Sequence, residues 1–210
     1  MLLVQAGGLL TGGRLLADVS DQPSGLTPAR EDAPEALGKW SSVVAGLRGR
    51  LVLQGPGATN PKDDFTVYFE LQNVSKAGAS KDVFFSLESI VWKLTDVAGR
   101  PAEEVPLTIL APFDLGAWTT LPAGSTKRWM ASGGRYSGSD DEPGVDMRYR
   151  LWKISPDKRA LYFVSALFSD ADPKVLRFIH PTPPSALAVR NNIWRGQLVL
   201  PQVALPKRGK

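Results

Sequence analysis

Between Phe65 and Gln72 apolar and polar residues alternate without a break: Phe65, Val67, Phe69 and Leu71 share one parity, and Thr66, Tyr68, Glu70 and Gln72 the other. A period of two marks a strand with one dry and one wet face, because successive strand side chains point to opposite sides. Leu47 to Gln54 repeats the pattern, with Leu47, Leu51 and Leu53 opposite Arg48 and Arg50, until Gly55-Pro56-Gly57 stops it. Val83 to Leu94 alternates in two phases. Val83, Phe85 and Leu87 share one parity and Ile90, Trp92 and Leu94 the other, so a bulge or a strand break is expected at Glu88-Ser89.

Further strands are expected at Thr126 to Ala131, Met147 to Ser155, Arg159 to Ser169 and Gly196 to Leu205. Turns are expected at Asp96 to Arg100, where Gly99 supplies a positive φ, and at Leu121-Pro122-Ala123-Gly124. Ser155-Pro156-Asp157-Lys158 fits a type I hairpin turn. Arg159 to Ser169 is apolar on both parities, which predicts a central strand whose second face is covered. The candidates for that cover are the N-terminal segment, the Pro101–Pro122 stretch, or a second copy in a homodimer. Pro201 cannot donate to a ladder, so the last strand belongs at an edge or a bulge. The fold class that follows is all-β, an antiparallel Ig-like β-sandwich of about seven strands with long loops and an irregular N-terminal extension. Residues 1–39 read as an apolar segment and a Pro- and Ser-rich linker, with Glu35 to Leu37 as one helical turn. The domain spans 40–206, with a polar loop at Ser132–Asp146 and a long connecting loop at Asp170–Asn192 that holds short elements around Val175–Ile179, and 207–210 is a basic tail.

The strand Phe65–Gln72 with Asn73-Val74-Ser75, then Leu94-Thr95-Asp96 with Gly99, then Leu121-Pro122-Ala123-Gly124, resembles the immunoglobulin-like and fibronectin type III-like modules of exported bacterial proteins. Trp40 with Gly46-Leu47, and Trp194-Arg195-Gly196, resemble the start and finish of such modules. The same spacing is similar to the Ig-like intracellular proteinase inhibitors of bacilli. The resemblance implies a fold and no particular site residue.

Composition narrows the function. Gly and Pro, 20 and 17 of 210 residues, favour turns over helices. The formal charge is +4, of which Lys207, Arg208 and Lys210 supply three units, so the body lacks the basic stripe of a nucleic-acid binder. The chain has no cysteine, which excludes disulfides and thiol chemistry. No apolar run is long enough for a membrane span. Met1–Ala17 is a poor signal peptide, with no cation ahead of its apolar run, and export and cytoplasm both stay open.

Chemistry-bearing patterns are few. His180 is the sole histidine, without a nucleophile elbow near Ser185, and no catalytic residue or cofactor is implied. Asp140, Asp141, Glu142 and Asp146 bring hard oxygens together that could bind calcium, though the spacing is not that of an EF-hand. Trp118, Trp129 and Tyr136 lie in or beside expected loops, where rings either stack on sugars or cover the core edge; Trp92 and Trp152 read as packing. Asn73 reads as closing a turn rather than carrying a glycan. The expected function is a non-catalytic β-sandwich binding or structural module that mediates protein or surface interactions, its partner a protein or glycan surface. A carbohydrate-binding module and a proteinase inhibitor are the alternatives.

Overall fold

The computed structural model describes residues 35–56, 62–105, 116–157, 160–170, 190 and 192–207. Twelve strands run through them: β1 (Glu35–Leu37), β2 (Leu47–Gln54), β3 (Phe65–Asn73), β4 (Lys81–Phe85), β5 (Ile90–Asp96), β6 (Glu103–Val105), β7 (Ala117–Leu121), β8 (Thr126–Gly138), β9 (Pro143–Met147), β10 (Arg150–Lys153), β11 (Tyr162–Ser169) and β12 (Gln197–Ala204). The fold is all-β, and every pairing between these strands is antiparallel. A large sheet has the order β1-β2-β3-β8-β9-β10-β6; facing it are β12-β11-β5 and the pair β4-β7. The count exceeds the expected seven because short strands such as β1, β6 and β10 hold too few residues to show a period.

The layers meet at aromatic rings. Phe69 of the large sheet lies 5.5 Å from Phe85 of β4 and 4.9 Å from Phe168 of β11, so one side chain touches all three sheets. Trp129 stacks on Phe85 at 4.6 Å, and Trp194 stacks on Phe168 at 5.7 Å. Gly49 admits the opposite layer: a Cβ there would stand 2.8 Å from the Leu200 side chain.

The dry face of β3 is buried as its alternation requires, but part of its wet face is buried as well. Arg50, Glu70 and Arg128 lie directly opposite one another on β2, β3 and β8. Glu70 accepts from Arg50 Nε at 2.6 Å and from Arg128 Nε at 2.7 Å, and Arg128 continues to Glu35 at 2.6 Å. The Arg50 guanidinium covers the Trp40 ring at 4.5 Å. Cross-strand ion pairs therefore shield a carboxylate that would not be buried unpaired.

Several expectations hold. The phase switch is a strand break at the 3-10 turn Leu87–Ser89, which sends β4 to β7 and β5 to β11. Asp96 closes its turn by accepting from the Ala98 and Arg100 N–H groups, both at 2.9 Å, with Gly99 at φ 77°. These bonds, the Arg100 N–H foremost, hold its carboxyl below its ordinary pKa. β11 is central, and Pro201 lies where the β11–β12 register shifts on an edge strand. On the outer face of β11, Leu167 aligns with the exposed Val91 and Val199 in an apolar row, so the expected cover of that face is not found among the described residues.

Other expectations are corrected. Glu35 to Leu37 is a strand, not a helical turn, paired to β2 and drawn in by the Glu35–Arg128 ion pair. Ser132 to Asp146 is not a loop: β8 runs to Gly138, β9 starts at Pro143, and only 139–142 form the turn. Its glycines are packing residues, since a Cβ on Gly134 would meet the Phe65 ring at 2.1 Å. Ser155 to Lys158 does not close a hairpin, because β10 belongs to the large sheet and β11 to the facing layer. The Ser155 N–H donates to Tyr162 Oη at 2.7 Å across that passage. Met147 to Ser155 is not one strand but the end of β9, a turn, and β10. Residues 1–34, His180, Ser185 and most of 170–192 lie outside the described residues, and with them the expectations placed there.

Asn73 ends β3 fully buried, its Nδ2 donating to the Ala79 and Leu121 carbonyls, both at 2.8 Å, while its Oδ1 accepts from Ser75 N–H at 3.0 Å. Asn73→Ala removes the partner of a buried Leu121 carbonyl and of the part-buried Ala79 carbonyl and Ser75 amide, and it is expected to cost about 2–4 kcal/mol in urea unfolding. A loss under about 0.5 kcal/mol would contradict that role.

Candidate functional site

β9 and β10 are joined by two residues, Arg148 and Tyr149, at φ 50° and 58°. Two positive φ values in a two-residue hairpin loop define a type I′ turn, which ordinarily takes Asn-Gly. The corresponding turn after Val44 uses Ala45 and Gly46. Neither residue at 148–149 is glycine, so each carries left-handed strain of about 1 kcal/mol or more. Arg148 is tied down: its guanidinium donates to Glu88 at 3.1 Å and lies 5.3 Å from the Tyr149 ring centre. Tyr149 remains 42% exposed.

This strained tip, with Leu87, separates two clefts. The first, about 430 Å³, runs beside β8 from Met130 to Arg135 and is bounded by Asp63 and Asp146. Met130 stands half-exposed there, and the Gly133 site is occupied by the Asp63 carboxylate, 2.0 Å from where a Cβ would be. Burial pushes the Asp63 carboxyl above its ordinary pKa; Arg135 opposes the shift, while Asp64 and Asp146 add to it. The second cleft, about 390 Å³, lies between β5 (Ile90 to Trp92) on one side and Glu104, Val105 and Arg150 on the other. Its rim charges are paired, Arg150 with Glu104 at 2.6 Å and Arg148 with Glu88. Trp92, 3% exposed, lines this cleft, and its indole Nε1 is buried without a hydrogen-bond partner.

The residues singled out in the sequence are not brought together. Trp118 packs on Phe84 at 5.3 Å with Arg190 over its ring, whereas Trp129 stacks on Phe85. Phe84 and Phe85 are successive on β4, so the two indoles lie on opposite sides of that strand and share no platform. Tyr136 packs edge-on against Phe65 and its hydroxyl donates to the Pro206 carbonyl. Asp140, Asp141 and Glu142 occupy the β8–β9 turn, while Asp146 sits along β9 opposite Arg135, beside the first cleft. Among the described residues no group of three or more His, Cys, Asp or Glu side chains is placed to hold a metal ion. No described helix is long and apolar enough to cross a membrane. Arg148, Tyr149, Met130 and Asp63 carried no signal in the sequence, since Arg-Tyr is not a turn dipeptide and exposed strand ends have no motif.

The chain matches no family model, no curated protein and no solved structure.

Replacing the tip by Arg148→Asn with Tyr149→Gly is expected to stabilise the fold by about 1–2 kcal/mol, because both residues then suit the turn. An unchanged or lower melting temperature would show that the tip is not strained.

Proposed function

We propose that this chain is a non-catalytic β-sandwich module that binds an extended protein segment in the clefts flanking Tyr149. The observation that supports this reading most is that both clefts share one strained, half-exposed turn. Backbone strain of this kind persists where a site requires a side chain at that position, and here the strain displays an aromatic ring. Tyrosine supplies contact area and a polar end with few rotors, which suits protein recognition. The apolar surfaces around it, from Leu87, Met130 and Val105, give a partner side chain somewhere to go, and the paired rim charges resemble the polar border of an interface. The resemblance of Phe65–Ser75 and Leu121–Gly124 to Ig-like modules is in keeping with a recognition role.

Random peptides displayed on phage and selected on the folded protein test the reading. Selected peptides are expected to lose about tenfold or more in affinity against Tyr149→Ala and little against Val199→Ser. Peptides indifferent to Tyr149→Ala, or glycan binding abolished by Trp118→Ala, would overturn it.

A further inference from the structure

β5 carries an antiparallel ladder that starts and is then abandoned. After the Asp96–Arg100 turn the chain comes back alongside β5: the Asp96 N–H donates to the Arg100 carbonyl at 3.0 Å, and the Ala102 N–H donates to the Leu94 carbonyl at 2.8 Å. Thr95 and Pro101 form the matching bridge. One residue later the chain leaves for the large sheet, where Glu103–Val105 pairs with β10 as its last strand. Among the described residues β5 therefore has no strand neighbour beside Ile90 to Trp92, and the second cleft lies there.

Strand geometry says which backbone groups face that gap. Leu94 and Asp96 direct theirs away from β11, and in an antiparallel strand residues two apart share a direction. Trp92 N–H and C=O and the Ile90 carbonyl thus point toward the cleft. The Ile90 N–H is already used, donating to the Leu87 carbonyl. Among the described residues no hydrogen bond reaches the outward pair on Trp92. The same residue also holds a buried indole Nε1–H without a partner, and its two outward main-chain groups lie beside a cleft of about 390 Å³. Both terminal strands, β5 of the three-stranded sheet and β6 of the large one, line it.

We propose that the second cleft accepts an extended peptide as an added strand, antiparallel to β5 and paired to the backbone of Trp92, continuing the ladder begun by Pro101 and Ala102. This rests on the protein-binding reading and specifies its mode. Main-chain bonds supply the attachment, and alternate side chains enter the cleft against Val105, Leu87 and Tyr149. With the rim charges already neutralised by Glu88–Arg148 and Glu104–Arg150, the fitting segment is apolar at alternate positions and uncharged between them. The added strand would cover an edge that otherwise presents unpaired groups.

The test uses the whole chain and three synthetic probes: acetyl-Val-Thr-Val-Thr-Val-amide and the same peptide N-methylated at its valines or at its threonines. Hydrogen exchange by NMR reads the amide of Trp92. In the free protein Val91, Lys93 and Thr95 are expected to be protected by β11 and Trp92 to exchange faster. The unmethylated probe is expected to slow Trp92 exchange about tenfold or more. One methylated series should bind like the parent and the other about tenfold or more weaker, because only one parity faces β5. Equal binding by both series, or no protection of Trp92, would overturn strand addition. If phage-selected peptides still depended on Tyr149 in that case, protein binding would stand and only its mode would fail. Protection of Trp92 without peptide, together with a dimer in light scattering, would overturn the foreign occupant in favour of a second copy.

Discussion

One ring holds the layers together. Phe69 sits at the middle of β3, a strand with partners on both sides along its length, and it meets Phe85 and Phe168 at 5.5 and 4.9 Å. The two-stranded β4–β7 pair is marginal alone, and the three-stranded sheet has an apolar inner face that needs covering. Trp129 and Trp194 extend the contact to either side. The smaller sheets depend on this cluster for their position, and so do the clefts bounded by the Leu87–Ser89 turn and β5.

Closing the core in this way leaves its edges unequal. β12 is an edge strand broken by Pro201 and a register shift, which discourages further pairing. β5 has no proline and no bulge at Ile90 to Trp92, and a cleft rather than a neighbour lies beside it. The chain creates this opening when it diverts from β5 to β6, and the tip at Arg148 and Tyr149 stands next to it. Strain, an exposed ring and an unpaired edge coincide at one place on the molecule.

The sequence made the long strands legible and the site nearly opaque. β2, β3 and the break between β4 and β5 are visible because one buried face imposes a period over several residues, as with Phe65, Val67, Phe69 and Leu71. The Asp96–Arg100 turn is visible because Gly99 has a conformational requirement. β8 is hidden at its far end: Ser132, Gly133 and Gly134 look like a loop, yet they are small because Phe65 and Asp63 occupy the space above them. β1 is hidden because an ion pair from Glu35 to a residue far along the chain, not its own pattern, places it. The turn at Arg148-Tyr149 breaks the local preference for glycine, and no reading of local propensity finds a residue held against that preference. Trp118 and Trp129 appeared as a pair only because sequence cannot tell which side of β4 each ring takes.

The central claim is that the three sheets form one cooperative unit through Phe69. Urea unfolding of Phe69→Ala, followed simultaneously by far-ultraviolet circular dichroism and tryptophan fluorescence, tests it most directly. Coincident transitions in both probes are expected, with a loss of about 3–5 kcal/mol, the cost of emptying a buried aromatic site. A midpoint close to that of the unsubstituted protein, or two separated transitions already present without the substitution, would contradict it.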